Sequence, residues 1–281
     1  MKRIGLIDYY LSEWHANHYP EWIRQANEAL RTDYRVTMAW AECEISPIDG
    51  VSTDEWCEKN GVTRAESISA LCAGCDAIFI LAPSNPEKHL PYAKEAFPFA
   101  KPTFVDKTFA PSYAEALEIV ELANRFGTPV FSSSALRYAE ELDAQQDTRT
   151  LMVTGSGSSV EEYIVHLAEM VVKKLGVGAQ SIRVQRCANQ HYFHLRYTDD
   201  REAMMVFAPR LPYTMQMTNA EGKSKYVAIK SAFFPALMAE ILRFFESGET
   251  NVSAEETLEV MRLCQGAVRA ANTEGENWIE L

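Results

Sequence analysis

The sequence predicts an α/β protein: a doubly wound parallel sheet, followed by an α+β domain with a mostly antiparallel sheet. Two observations carry that prediction. Over the first 135 residues, short apolar runs alternate with helical stretches, the pattern of βαβ units whose sheet is buried on both faces. After about residue 136 the alternation stops, and closely spaced strand-like runs follow one another, which predicts antiparallel pairing. At 281 residues and 47% hydrophobic content, the chain suits one large domain or two ordinary ones, and the change of pattern places two, at 1–135 and 136–281.

In order along the first part, the strands are Arg3–Ile7, Tyr34–Trp40, Asp76–Leu81, Pro102–Val105 and Pro129–Ser132. Ser52 with Glu55, and Ser112 with Glu115, have capping-box spacing and start two of the helices between them. Gly61 and Gly127 stop those helices. The set is Rossmann-type, and such a sheet binds ligands at the carboxyl ends of its strands. In the second part a polar stretch, Glu140 to Thr150, leads to a helix over Val160–Lys174. Strand-like runs follow at Ser181–Cys187, His191–Tyr197, Glu202–Phe207, Tyr213–Met217 and Lys225–Ile229. Phe234, Leu237, Met238, Ile241, Leu242 and Phe245 then form one apolar helical face, and Ser253 with Glu256 caps a last helix. The ligand cleft is expected between the two domains.

A formal net charge of −12 argues against a nucleic-acid partner, because neutralising phosphates takes a basic face. No stretch approaches eighteen apolar residues and the N-terminus has no signal-like run, so no membrane partner and a cytoplasmic location are expected. Cys72 and Cys75 have CxxC spacing, but no second pair or nearby histidine completes a metal set. They read as two reduced thiols near a helix end, and no metal site is expected. His191 and His194, on one strand at odd spacing, face opposite sides and make a poor ligand pair.

The first strand runs into Asp8-Tyr9-Tyr10-Leu11-Ser12-Glu13. A dinucleotide fold carries glycines here, since pyrophosphate must approach bare backbone at a helix N-terminus. In this turn Asp8 and Glu13 would oppose its charge, and Tyr9 and Tyr10 add bulk. Ser12 offers one way round, as a helix cap presenting its hydroxyl and amides to phosphate from a wider turn. Near the end of the second strand, Glu42 or Glu44 is either a ribose acceptor or a solvated loop acid. His15 and His18, with Trp14 and Trp22, either form an aromatic packing face or line the cleft. His89, after the Pro83 loop, either faces a cofactor ring or packs locally.

Three separated blocks resemble one family, the Gfo/Idh/MocA oxidoreductases (glucose-fructose oxidoreductase, inositol dehydrogenase and relatives). "CDAIFILAPSNPEKHLPYAKEAF", residues 75–97, is similar to the family's fourth strand, proline loop and next helix. "KPTFVDKTFAPSYAEALEIVELANRFGTPVFSSSALRY", residues 101–138, resembles the segment bearing the Glu-Lys-Pro motif. "GSSVEEYIVHLAEMVVKKLG", residues 157–176, resembles the helix with the Asp-x-x-x-His motif, and the closing helices follow the family pattern.

The resemblance implies hydride transfer between NAD or NADP and a sugar, polyol or related hydroxy compound, in a homo-oligomer. It places the catalytic groups at Lys107, Glu162 and His166, and cofactor contacts at Asp8, Tyr9, Ser12, Glu42, Pro83, His89 and Asp106. Lys107 at a strand end would either hold or exchange the substrate proton, and Glu162 and His166, at i and i+4, share a helix face. The departures are an Asp106-Lys107-Thr108 in place of Glu-Lys-Pro, Glu162 in place of aspartate, and the missing glycines. Two functions follow: an NAD(P)-dependent oxidoreductase with a rebuilt phosphate loop, or a dehydrogenase-like protein without redox activity that binds a sugar-like ligand or a protein partner.

Overall fold

The computed structural model describes residues 1–144 and 147–281 and separates them into two compact units. Residues 145 and 146, inside the stretch read as polar, lie outside the described residues. The first unit comprises Met1–Ser133 and Phe234–Val252; the second comprises Ser134–Phe233 and Ser253–Leu281.

The first unit runs β1 (Lys2–Asp8), α1 (Trp14–Leu30), β2 (Tyr34–Ala41), α2 (Thr53–Asn60), β3 (Thr63–Arg64), α3 (Ile68–Gly74) and β4 (Ala77–Ile80). It continues with α4 (His89–Ala96), β5 (Thr103–Val105), α5 (Tyr113–Phe126) and β6 (Val130–Phe131). All pairings are parallel, in the order β3-β2-β1-β4-β5-β6. That is the Rossmann order, whose topological switch lies between β1 and β4 and whose ligand crevice opens at the carboxyl ends there. β1 and β4 are sealed on both faces, as a doubly covered sheet requires. Gly5 is needed for this: a Cβ there would lie 2.2 Å from the Leu71 side chain on α3.

The local signals act as expected. Ser52 and Glu55 close a full capping box, Ser112 caps α5 through the Glu115 amide, and Gly61 and Gly127 end α2 and α5 in the left-handed conformation. Cys72 and Cys75 are free buried thiols at the end of α3.

In the second unit, β7 (Thr150–Gly155), α6 (Val160–Leu175), β8 (Ala179–Cys187), β9 (Gln190–Tyr197), β10 (Glu202–Phe207), β11 (Thr214–Thr218) and β12 (Ser224–Ala228) lead to α7 (Phe233–Ser247), which from Phe234 on belongs to the first unit. α8 (Ala254–Asn272) and β13 (Ile279–Glu280) close the chain. The sheet order is β12-β11-β7-β10-β9-β8-β13, antiparallel at every pairing except β7 with β10. One face buries Leu151, Val153, Phe193, Leu195, Met205 and Met215 against α6 and α8.

The structure adds the strands β3, β7 and β13 to the sequence reading, and the cover of α7. β7 was not expected, because its inward alternation of Leu151 and Val153 lies between a polar run and a Ser/Gly-rich turn. α7 has the predicted apolar face, and that face packs on the first unit's aromatics: Phe245 meets Tyr34 and Phe79, and Phe244 meets Phe131.

Candidate active site

At the carboxyl end of β1, the structure fills the place of a phosphate loop with the chain's own acids. Asp8 is 1% exposed; its Oδ1 accepts from the amides of Tyr9 (2.7 Å) and Ala82 (3.0 Å), while Oδ2 is buried without a partner. Burial, and the nearby Glu13 charge, hold the Asp8 carboxyl well above the usual range. Glu13 is the N-cap of α1: its carboxylate accepts from the amides of His15, at 2.7 Å, and Ala16. Burial raises the Glu13 pKa too, the amides and His15 working against that shift.

These observations decide whether a pyrophosphate fits in the glycine-loop manner. It does not. The first-turn amides it would need already hold a carboxylate, a second carboxyl lies sealed at Asp8, and tyrosines stand where backbone must be bare. Ser12 is not the cap. Its hydroxyl donates to Asp49 at 2.7 Å, and its carbonyl accepts from Ser46.

The end of β5 supplies the next group. Asp106 is buried and pairs through Oδ2 with His15 Nδ1, while Oδ1 accepts from the Lys107 amide at 2.8 Å. Burial works against the charge of Asp106, but His15 and Lys107 outweigh it and hold its carboxyl below the usual range. The half-buried Lys107 donates from Nζ to the Pro83 carbonyl at 3.2 Å, and its peptide to Thr108 is cis. Asp106 therefore faces inward, as a support for His15 and the Lys107 backbone.

Two further expected contacts are otherwise engaged. His89 is 0% exposed, with Nδ1 against the Phe109 carbonyl (3.0 Å) and Nε2 against that of Leu81 (2.5 Å), so it packs locally and faces no ligand. Glu42, just past β2, holds Lys88 at 2.5 Å and the Tyr92 hydroxyl at 2.9 Å, and the Lys88 bond lowers its pKa. Lys88 also sits over the Tyr9 ring, 4.9 Å from its centre. Trp14, His18 and Trp22 stack among themselves and on Phe234.

In the second unit, Glu162 and His166 lie on α6, one turn apart. His166 Nδ1 meets the Ser134 hydroxyl at 2.7 Å. Ser134 is itself anchored, its amide donating to Glu169 at 2.8 Å. Glu169 pairs with buried Arg137, which also binds Glu256. Burial opposes the charge of Arg137, and the two carboxylates more than offset it. Ser134, Arg137 and Glu169 were missed by the sequence reading. The available signal was Glu169 at i+7 from Glu162, a polar position on an otherwise buried stretch of helix. Among the described residues, no group of three or more His, Cys, Asp or Glu is arranged to hold a metal, and no helix is long and apolar enough to cross a membrane.

The fold is shared with solved structures of dehydrogenases and oxidoreductases. UDP-N-acetylglucosamine 3-dehydrogenase GnnA from Acidithiobacillus ferrooxidans superposes with a TM-score of 0.75 at 12% identity, over 96% of this chain and 97% of that one. An oxidoreductase from Agrobacterium radiobacter, solved with NAD+, L-tartaric acid and magnesium, superposes at 0.76 and 13% identity, over 99% and 98%. The dehydrogenase MviM from Clostridium difficile does so at 0.74 and 11% identity, over 96% and 99%. No protein-family model and no curated protein sequence matches the chain.

Proposed function

We propose that this protein is an oxidoreductase acting on the CH–OH group of a sugar, polyol or related hydroxy compound, with NAD or NADP as the two-electron partner. The observation that carries this reading is Lys107: a half-buried ammonium at the carboxyl end of β5, in a fold shared with dehydrogenases. A cation there holds the substrate oxygen and stabilises negative charge as it develops. In the second unit, Glu162 and His166 offer a carboxylate and an imidazole one turn apart on α6, with His166 Nδ1 held at the Ser134 hydroxyl. The α1 turn refuses pyrophosphate as a glycine loop would hold it, so this reading needs a dinucleotide whose phosphates lie off the first amides of α1.

Glu13 and Asp8 favour a second reading, a protein of dehydrogenase fold without redox activity that binds a sugar-like ligand or a protein partner. Fluorescence titration with NADH and NADPH separates the two, with myo-inositol, UDP-N-acetylglucosamine and L-tartrate titrated alongside by calorimetry. Saturable dinucleotide binding with turnover of a hydroxy compound is the expected result. No dinucleotide binding at millimolar ligand, with a hydroxy compound still bound, transfers the conclusion to the second reading.

A further inference from the structure

Two buried histidines of the first unit are used in opposite ways. His89 spends both ring nitrogens on backbone carbonyls and is sealed, the pattern of a structural histidine. His15 spends one. Its Nδ1 pairs with Asp106 Oδ2, with the Tyr19 hydroxyl 3.4 Å away, and no partner meets Nε2. The residue is 7% exposed, and the sealed, unpartnered polar atoms of the described residues are Asp8 Oδ2, His191 Nδ1 and Tyr197 Oη. Nε2 of His15 therefore opens to solvent.

The ring is held in place. It stacks on Tyr19 at 5.1 Å and 14°, and the edges of Trp14 and Phe234 close in at 5.2 and 6.2 Å. Asp106 is fixed in turn by the amide of Lys107, the next residue. A carboxylate on Nδ1 sets the tautomer with Nδ1–H and leaves Nε2 as the basic nitrogen. The site lies where β5 and the first turn of α1 meet the ligand end of the sheet.

We infer that His15 exchanges a proton with the hydroxyl of the bound compound beside Lys107, and that Asp106 is its positioning residue. The inference rests on the proposed function. In the step, the ligand O–H bond breaks, an Nε2–H bond forms, and the electron pair stays on oxygen, next to the Lys107 ammonium. The imidazolium is balanced by Asp106. Glu13 lies on the same turn of α1, Asp8 beside it on β1, and Tyr19 along α1; Lys107 is the nearby cation. The proton then leaves to water through the opening at Nε2.

The full chain is tested as wild type, His15→Gln and Asp106→Asn. Diethyl pyrocarbonate followed by peptide mass mapping is expected to acylate His15 at least tenfold faster than His89. Equal protection of the two overturns the inference, whatever the chain turns over. With NAD and myo-inositol, His15→Gln is expected to lower kcat by about 100-fold or more, the usual reach of general acid–base catalysis. KM and NADH affinity stay near wild type. Asp106→Asn is expected to lower kcat with KM near wild type, since the ring loses the partner that fixes Nδ1–H. An unchanged kcat in both variants overturns the inference. If wild type turns over none of the three hydroxy compounds, the proposed function fails, and the labelling decides His15 alone.

Discussion

Asp8 shows how one residue can reverse the character of a site. Where a glycine would expose two amides to a phosphate, its carboxyl takes the amides of Tyr9 and Ala82 for itself. Its folded pKa is raised, so its proton is bound more tightly in the folded chain than in the unfolded one. Such a group stabilises the fold fully below the unfolded value, about 3.9, and that contribution is lost as pH rises toward the folded value. Asp8→Asn keeps Oδ1 as acceptor and removes the ionisation. The variant is expected to melt like wild type near pH 4 and to gain about 1 kcal/mol by pH 7, the scale of one like-charge contact relieved. Thermal unfolding across that range checks it; a gain that does not depend on pH rules the account out. The acids at 8 and 13 were legible in the sequence as opposed to phosphate. That Glu13 would be the cap, and Ser12 bound to Asp49, was not, because either side chain reaches the same amides on paper.

At the scale of the element, periodicity reveals which face is apolar and says nothing of what covers it. The face of α7 was visible in the sequence, yet its cover, Phe79, Phe131 and Tyr34, comes from residues over a hundred positions earlier. Phe244 is fully buried there. Phe244→Ala should cost about 3–5 kcal/mol in denaturant unfolding, as truncated core aromatics do, and should lower amide-exchange protection in β4 and β6 first. A cost below about 1 kcal/mol would show that α7 is not part of that core. β7 failed the other way: five residues of alternation next to a polar run are too short a signal, and only pairing with β10 and β11 makes it a central strand.

For the whole molecule, the open face of the second sheet carries Met152, Met204, Val206, Gln216 and Tyr226, on the side away from α6 and α8. Tyr226 is 64% exposed. A sheet face with this apolar content suits a like face on a second copy. Light scattering at micromolar concentration is expected to give a homo-oligomer, and Met204→Glu to dissociate it by placing a charge at the centre of that face. A monomeric wild type sinks the expectation.

What the sequence determined by itself was the alternation of apolar runs, their caps and stops, and so the parallel sheet with its ligand end. Those properties are local, written within a few residues of where they act. It also put Lys107 just past the end of β5 and Glu162 and His166 one turn apart on α6. The tertiary structure alone decided which acid closes α1, that His15 pairs with Asp106 while His89 is sealed, and that Glu169 and Arg137 anchor Ser134 beneath His166. Each of these joins groups eight to ninety-one positions apart or chooses between neighbours of equal reach, and only packing brings one candidate within bonding distance and shuts out the other.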